Sequence, residues 1–426
     1  MIIALLKRAY LFLNNTLYYR WLRIVRRYPI PLAPTYQLDF KIEKLFSSEG
    51  EIFFGYHDKT PFNKSSDKVL SHHVKGDNHT LNSECTSIEI GYFQKGKNGQ
   101  FDKHFIKVTE TTLWSWQQGS MLQWDPLHPD SQIIFNDLVD GNYGARLYDL
   151  NERRIVKNIN RPIYSMSKDG KNAVSLNFSR LARLRSGYGY KLLKDKSHDF
   201  SSSDDDGLFL MDMITGKNKL IVSLAQLAKS IDDSNNYEHY LNHANFSPDD
   251  SKIAFFHILN NKLDGKRSIR FCVYDLNSES VRLIDDNRLV SHYDWKGNDT
   301  IIAVNRDGNL KWHCSIYDLN DMSRTDLNSP LKTDGHPMVS PLDGNLAVID
   351  SPPDKRFDQH LFLMDIKSGS CVELIALYSP RKFRGPVRCD LHPRWDRSGE
   401  YICVDTIFNG KREIVLLKGI KKEFSH

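Results

Sequence analysis

The 426-residue chain lacks three features that would assign it to a special class of protein. Its six cysteines stand singly, without a C-x-x-C pair, which excludes a zinc ribbon and a thioredoxin-like motif. A formal net charge of only +5 gives no indication of nucleic-acid binding. The apolar runs are too short and interrupted for a signal peptide or a membrane span, so we expect a cytoplasmic protein with mostly buried, reduced thiols.

The composition is that of an ordinary folded protein, and the N-terminal segment differs from the rest of the chain. A hydrophobic content of 40% and a charged content of 26% are enough for a large core. Residues 1–28 place apolar side chains at steps of three or four, with six basic residues and no acidic residue among them. This pattern predicts a basic amphipathic helix that Pro29, Pro31 and Pro34 end.

Two interpretations of that helix stay open. It lies in the plane of an anionic membrane surface, peripheral on the inner membrane, or it packs on the rest of the protein. We therefore divide the chain into a helix and Pro-rich linker over residues 1–34 and a second unit over residues 35–426.

Beyond residue 35 the chain repeats one pattern. A turn of the Ser-Pro-Asp or Asp-Gly type precedes an apolar strand, and a later strand ends in hydrophobic-Asp-hydrophobic. The second signature occurs five times, around Asp149, Asp212, Asp275, Asp318 and Asp365. Such units cannot bury both faces alone and must close into a ring, so the sequence predicts an all-β fold, a seven-bladed β-propeller. The innermost strands are predicted to start near Tyr56, Trp116, Tyr164, His243, His292, His336 and His392.

Four of these predicted blade starts carry a histidine, namely His243, His292, His336 and His392. Equivalent positions of a propeller meet around the central channel, where converging imidazoles are typical of a Mn or Zn site. Asp334 and Asp390 each stand two residues before one of these histidines and are candidate ligands or orienting groups. The alternative is that each histidine is a structural residue at the start of a strand.

The N-terminal half offers further polar groups. The segments 55–62, 71–73 and 114–119 bring histidine, tyrosine and glutamine to early blade starts. A segment over residues 177–190 combines three arginines with two tyrosines. Arginine is suited to carboxylate recognition and a nearby Tyr or His to proton transfer, although a solvated loop explains the same residues.

Together these motifs resemble the propeller polysaccharide lyases, namely the oligogalacturonate and ulvan lyases, over roughly residues 50–418. The blade motifs are also similar to those of TolB-like propellers. The Gly-Tyr-His-Asp-Lys, Trp-Gln-Gln-Gly and Arg-Ser-Gly-Tyr-Gly-Tyr segments resemble a branch of this superfamily met in bacterial surface-polysaccharide gene clusters.

The resemblance implies β-elimination at a uronate of an acidic polysaccharide. It implies a divalent metal, Mn or Zn, on His243, His336 and His392, with His292 beside them. It further implies carboxylate recognition by Arg180 or Arg183, and proton transfer by His72 or His73 with Tyr188. Two alternatives remain: a non-catalytic propeller that docks on a polysaccharide-assembly complex at the inner membrane, and a protein associated with glycosyl transfer.

Overall fold

The computed structural model describes residues 40–76 and 86–420, which form seven four-stranded antiparallel sheets. The sheets are the blades of a β-propeller, so the predicted fold and blade number are confirmed. The helix predicted over residues 1–28 lies outside the described residues. Among the described residues, no helix combines the length and the apolar character that crossing a bilayer requires.

The blades follow one another along the chain, and each begins at the channel and proceeds outward. Blade 1 comprises β2 (Gly50–Phe53), β3 (Lys68–Lys75), β4 (Ile88–Gln94) and β5 (Ile106–Thr111). Blade 2 comprises β6 (Gln123–Trp124), β7 (Gln132–Val139), β8 (Asn142–Asp149) and β9 (Arg154–Ile159). Blade 3 comprises β10 (Ser165–Met166), β11 (Asn172–Ser175), β12 (Gly207–Asp212) and β13 (Asn218–Ser223). Blades 4 and 5 comprise β14 (Tyr237–Phe246), β15 (Lys252–Asn261), β16 (Arg267–Asp275) and β17 (Ser280–Asp285); and β18 (Leu289–Trp295), β19 (Thr300–Arg306), β20 (Trp312–Asp318) and β21 (Ser323–Asp326). Blade 6 comprises β22 (Pro337–Val339), β23 (Leu346–Asp350), β24 (Asp358–Asp365) and β25 (Cys371–Tyr378).

Blade 7 is completed by both ends of the described chain. Its three inner strands are β26 (Arg394–Trp395), β27 (Tyr401–Thr406) and β28 (Glu413–Lys418), and its outer strand is β1 (Lys41–Leu45). Lys41 pairs with Lys418 and Leu45 with Ile414 in an antiparallel register. This pairing closes the ring, which leaves no blade without a neighbour.

The repeated aspartate of the sequence closes the turn between the third and fourth strand of a blade. In blade 4 the Asp275 carboxylate accepts hydrogen bonds from the backbone N–H groups of Asn277 and Ser278. In blade 3 the Asp212 carboxylate does the same for Ile214 and Thr215. An Asx turn of this kind needs a short acceptor side chain, which explains why aspartate recurs at this position.

The core lies between the blades, because each sheet is covered on both faces by its neighbours. Strands β23 and β27 are buried along their whole length. A continuous apolar run is what a sheet buried on both faces requires. Two predicted blade starts are displaced: the inner strand of blade 2 begins only at Gln123, and Tyr56 follows β2 in a loop.

The long interval within blade 3 is an insertion between β11 and β12. It contains the helix α1 (Phe178–Leu184), and a second short helix, α2 (Leu224–Ala228), follows β13. Asn177 caps α1, since its side-chain oxygen accepts from the backbone N–H of Arg180. Single 3-10 turns occur at Ser234–Asn236 and Gly385–Val387.

Candidate functional site

Four histidines from four successive blades lie around one end of the channel. His243 belongs to β14 and His292 to β18, while His336 immediately precedes β22 and His392 lies just before β26. The ring centroids of His292 and His336 are 3.8 Å apart, and those of His336 and His392 are 4.4 Å apart. His243 lies 6.0 Å from His292 by the same measure. We call this end of the channel, with these four residues, the histidine mouth.

The backbone at these positions departs from regular strand geometry. His243 and His392 have φ angles of 53° and 45°, in the left-handed region that side chains other than glycine rarely adopt. The pairing of β14 with β15 also shifts register between Asn242 and Asn245, as does that of β18 with β19 next to His292. A bulge redirects the side chain that follows it, and such strain is concentrated at functional positions.

Two of the imidazoles are oriented for metal binding. His336 Nδ1 lies 2.9 Å from Asp350 Oδ1, and His392 Nδ1 lies 2.7 Å from the carbonyl oxygen of Gly55. Because both partners are acceptors, each Nδ1 donates, and each Nε2 is directed elsewhere. Both Nε2 atoms are buried and have no hydrogen-bond partner. Imidazoles that ligate metals are held by such a contact of the other nitrogen.

A carboxylate completes this set. One ligand atom each from His336, Asp390 and His392 lies within 4.8 Å of the others, close enough to share one ion. Burial would raise the pKa of Asp390, but the charges of Arg388 and His336 outweigh it and lower that pKa. Burial lowers the pKa of His392 well below its ordinary value. Asp390 and His392 are therefore in the ionised and neutral forms that bind a metal.

His336 has the opposite protonation tendency. Burial would lower its pKa, but the carboxylates of Asp350, Asp390 and Asp334 raise it to about 9. In the metal-free protein this imidazole carries a proton at neutral pH, which a bound metal would displace.

The other two predicted metal ligands flank this set. His243 Nε2 lies 3.2 Å from the amide nitrogen of Asn242 and 3.3 Å from the Tyr56 hydroxyl, so it already accepts a hydrogen bond. His292 Nδ1 lies 3.1 Å from the Gly335 carbonyl oxygen and 3.3 Å from Asp334. The structure therefore brings all four histidines together, but it groups His336 and His392 with Asp390.

Tyr188 lies beside the histidine mouth, between two arginines. Its hydroxyl lies 3.0 Å from Arg388 Nη2 and 3.2 Å from Arg185 Nη2, and the Arg185 guanidinium lies 4.0 Å from the ring centroid. Burial would raise the pKa of Tyr188, but the positive charges of Arg185 and Arg388 outweigh burial and lower it. Arg388 also binds Asp390 at 2.7 Å, which connects the tyrosine to the candidate metal ligands.

Arg180 and Arg183 make other contacts. The buried guanidinium of Arg180 donates to the Ser197 and Phe200 carbonyl oxygens, at 3.1 and 2.9 Å. Both arginines pair with Glu238, and Arg183 also binds Asp195 at 3.0 Å. These contacts fasten the insertion of blade 3 to β14.

His72 and His73 lie on β3, the second strand of blade 1. His72 Nε2 is 2.8 Å from the Ser120 hydroxyl, and burial lowers its pKa to about 4. His73 Nδ1 is 2.8 Å from Glu89, and its Nε2 is 2.9 Å from the Ser47 hydroxyl. Of the five residues predicted for catalysis, Tyr188 is the one with ring contacts to the histidine mouth, at 6.5 Å from His243 and 6.4 Å from Tyr56.

The sequence prediction did not assign a role to Tyr56 or His57, which occupy the centre of the mouth. The Tyr56 ring centroid is 4.8 Å from those of both His243 and His392. The His57 ring is 5.2 Å from His336, and its Nδ1 is buried without a partner. Gly55 has a φ of 128°, and a Cβ there would lie 3.0 Å from the backbone of Gln118. Glycine is therefore required before Tyr56. The glycine of the Gly-Tyr-His motif is the sequence signal that could have identified this loop as part of the site.

Comparison with solved structures identifies the fold. An oligogalacturonate lyase in complex with manganese superposes with a TM-score of 0.61 at 16% identity, covering 91% of this chain and 96% of that one. An oligogalacturonate lyase from Vibrio parahaemolyticus gives a TM-score of 0.60 at 14% identity, with coverages of 90% and 98%. TolB from Acinetobacter baumannii is more distant, with a TM-score of 0.39 at 15% identity over 73% of this chain and 64% of that one. No family model and no curated protein sequence matches the chain. In fold, the chain is a seven-bladed β-propeller similar to those of the two oligogalacturonate lyases.

Proposed function

We propose that the chain is a metal-dependent lyase that cleaves an acidic glycan, of the kind found in bacterial surface polysaccharides, by β-elimination at a uronate. One observation carries the proposal: the buried Nε2 atoms of His336 and His392 lie beside Asp390 without a hydrogen-bond partner. Two imidazoles and a carboxylate are suited to Mn or Zn. The manganese complex of an oligogalacturonate lyase with the same fold supports this choice.

A divalent metal held by His336, Asp390 and His392 would supply the positive charge that offsets the carboxylate of a bound uronate. That offset matters most, because the C5 proton is very weakly acidic while the neighbouring carboxylate keeps its full charge. Arg388 adds a second positive charge at the same place, next to Asp390.

Tyr188 is the group suited to remove the C5 proton. Arg185 and Arg388 lower its pKa and stabilise its phenolate form, which is the form that accepts a proton. As the C5–H bond breaks, the proton passes to the Tyr188 phenolate and the electron pair forms the C4=C5 double bond. The C4–O bond breaks, and the glycosidic oxygen leaves with a proton from water. In this proposal Tyr188 keeps the part in proton transfer predicted for it. Arg180, Arg183, His72 and His73 have no part in the reaction, because their polar groups bind other parts of the protein.

The cellular setting remains a prediction. Residues 1–28, which would attach the protein to an anionic membrane surface on the cytoplasmic side, lie outside the described residues. The lyase proposal does not depend on that attachment.

Two measurements on the full chain test the proposal. Purified protein is loaded with Mn²⁺ or Zn²⁺ and its metal content determined, and the ultraviolet absorbance of the unsaturated uronate product is followed with a panel of uronate polymers. We expect one metal per chain and a rising absorbance. The double variant His336→Ala, His392→Ala should lose both, whereas Tyr188→Phe should keep the metal and lose the product.

His198→Ala is the matched control, because His198 is exposed and forms an ion pair with exposed Asp199. It should retain both the metal and the activity. A wild type that binds neither metal would overturn the metal site. Metal-loaded protein that gives a flat absorbance trace with every uronate polymer would overturn the elimination and leave a binding propeller.

A further inference from the structure

The opposite end of the channel contains a second cavity, which the lyase proposal does not use. The turns that connect the first and second strands of the blades surround it, and its volume is about 520 Å³. Lys168, Lys296 and Arg397 come from the turns of blades 3, 5 and 7, and Lys59 lies deeper, on the loop after Tyr56. We call these four residues the lysine mouth.

The two mouths are separated along the inner strands. Lys296 follows His292 by four positions on β18 and the turn after it. At about 3.3 Å per residue this spacing amounts to roughly 13 Å. Tyr56 and His57 occupy the histidine mouth, and Asp58 and Lys59 on the same loop line the other cavity. A ligand of the lysine mouth is therefore not a ligand of the candidate metal.

The lysine mouth has more cations than the protein neutralises. Among the described residues, no carboxylate lies within ion-pair distance of Lys168, Lys296 or Arg397. Lys64 lines the adjoining cavity, and it too has no ion pair with a described residue. Like charges collected around one concave opening repel each other and attract anions.

The carboxylates that line the cavity offset this charge only in part, since Asp58, Asp294 and Asp396 are three acidic groups against the four cations of the lysine mouth. Asp58 is already paired with Lys59, at 2.9 Å. Asp396 accepts hydrogen bonds from the Ser66 hydroxyl at 2.6 Å and the Tyr401 backbone N–H at 2.9 Å. Burial raises the pKa of Asp294 to about 7, so this carboxyl is only partly charged at neutral pH.

Two further donors point to a ligand. The side chain of Lys59 is nine-tenths buried, and its ammonium pairs with Asp58 and lies 4.8 Å from the centroid of the Tyr164 ring. Trp395 is among the residues that line the cavity, and its indole N–H is buried without a hydrogen-bond partner among the described residues. Buried donors are almost always satisfied in native proteins, by protein, water or ligand.

We propose that the lysine mouth is a second binding site of this protein, for a small ligand that carries several carboxylate or phosphate groups. Lys168, Lys296 and Arg397 bind its anionic groups at the rim. Lys59 and Trp395, which line the cavity, lie beside the part of the ligand that enters it. The volume is sufficient for a ligand of the size of citrate or tripolyphosphate and too small for a folded partner.

Calorimetric titration of the full chain with tripolyphosphate and, separately, with citrate tests the proposal. We expect wild type to bind at least one of them, more weakly at higher salt, and the tighter of the two identifies phosphate or carboxylate as the recognised group. The triple variant Lys168→Ala, Lys296→Ala, Arg397→Ala should bind at least about tenfold more weakly, since one lost charge-assisted hydrogen bond already accounts for such a factor.

The matched control is the triple variant Lys97→Ala, Arg153→Ala, Lys367→Ala. These cations occupy turns between the third and fourth strands, at the periphery of blades 1, 2 and 6, and should leave binding unchanged. Thermal denaturation checks that both triple variants are folded. The proposal is overturned if wild type binds neither anion. It is also overturned if the lysine-mouth variant binds as tightly as wild type, because the anion is then held by Arg185 and Arg388 at the histidine mouth.

Discussion

Asp350 is the residue through which the candidate metal centre is best tested, because it contacts the His336 imidazole and the backbone of His392 without being a proposed ligand. Its Oδ1 accepts the backbone N–H of His336 at 2.7 Å and the ring Nδ1–H at 2.9 Å. Its Oδ2 accepts the backbone N–H of His392 at 3.0 Å. In Asp350→Asn one of these oxygens becomes an NH₂ group that faces an N–H donor, so at least one contact is lost.

Two effects of this substitution on metal affinity oppose each other. Loss of the group that orients a ligand weakens metal binding by about 10- to 100-fold. In wild type, however, the raised pKa of His336, about 9, means that a metal must displace a proton, which weakens apparent binding about 100-fold at pH 7. Without the Asp350 charge this pKa falls toward its ordinary value of about 6.5, and most of the proton competition disappears.

The sign of the net effect therefore depends on pH. Near pH 7 the two effects cancel, and the variant is expected to bind Mn²⁺ as tightly as wild type or up to about 10-fold more tightly. Near pH 8.5 wild type is mostly relieved of proton competition, and the variant is expected to bind about 3- to 25-fold more weakly. The affinity of wild type should increase by about tenfold per pH unit over this range, and that of the variant much less.

Free Mn²⁺ measured by electron paramagnetic resonance, at several pH values, gives these affinities. Asp275→Asn is the control, since Asp275 closes a peripheral turn of blade 4. Its affinity curve should superpose on that of wild type. Parallel curves for wild type and Asp350→Asn, in folded proteins, would refute the proton competition that Asp350 causes at His336. Curves that superpose would refute the assignment of Asp350 as the residue that orients the ligands.

Three further predictions follow from single contacts. Gly119→Ala should lower stability by about 3 kcal/mol in thermal denaturation, because its Cβ would lie 2.3 Å from the buried His72 ring. Gly141→Ala, at a similar positive φ but with no described atom near the added Cβ, should lower stability by only about 1 kcal/mol. Equal losses of stability in the two variants would contradict the steric argument. The pKa of His72 in the folded protein, about 4, lies below its unfolded value, so only the unfolded chain takes up this proton between about pH 6.5 and pH 4, and stability falls as pH falls. His72→Gln should reduce the slope of unfolding free energy against pH by about 1.4 kcal/mol per pH unit. An unchanged slope would contradict the burial of this ring. Arg388→Met removes a charge that lowers the pKa of Tyr188, so the rising limb of the pH–rate profile for elimination should move to higher pH, and a limb that stays in place would exclude Tyr188 as the base.

The blades could be predicted because their signals are local. An aspartate that accepts two backbone N–H groups in its own turn, as Asp275 does, leaves its trace within a few positions of the sequence. The site could be predicted only in part. The helix α1 directs Arg180 and Arg183 to Asp195 and Glu238, whereas Arg185, just past the helix, reaches Tyr188. The arginine that faces the channel is determined by where a seven-residue helix within an insertion ends. No periodicity of the sequence indicates that position.

The same contacts close the ring and build the histidine mouth. Asp405 of blade 7 accepts the backbone N–H groups of Phe54 and Gly55, each at 3.0 Å, and binds Arg394 at 2.8 Å. The Gly55 carbonyl oxygen in turn accepts from Arg394 at 3.1 Å and from His392 at 2.7 Å. The bonds to Phe54 and Gly55 join residues more than 330 positions apart in the chain and hold the loop that carries Tyr56. Because the Nδ1 atom of His392 uses this oxygen, Nε2 is left for a metal only when blade 1 and blade 7 are joined. Metal binding should therefore be lost when the contacts between blade 1 and blade 7 are lost.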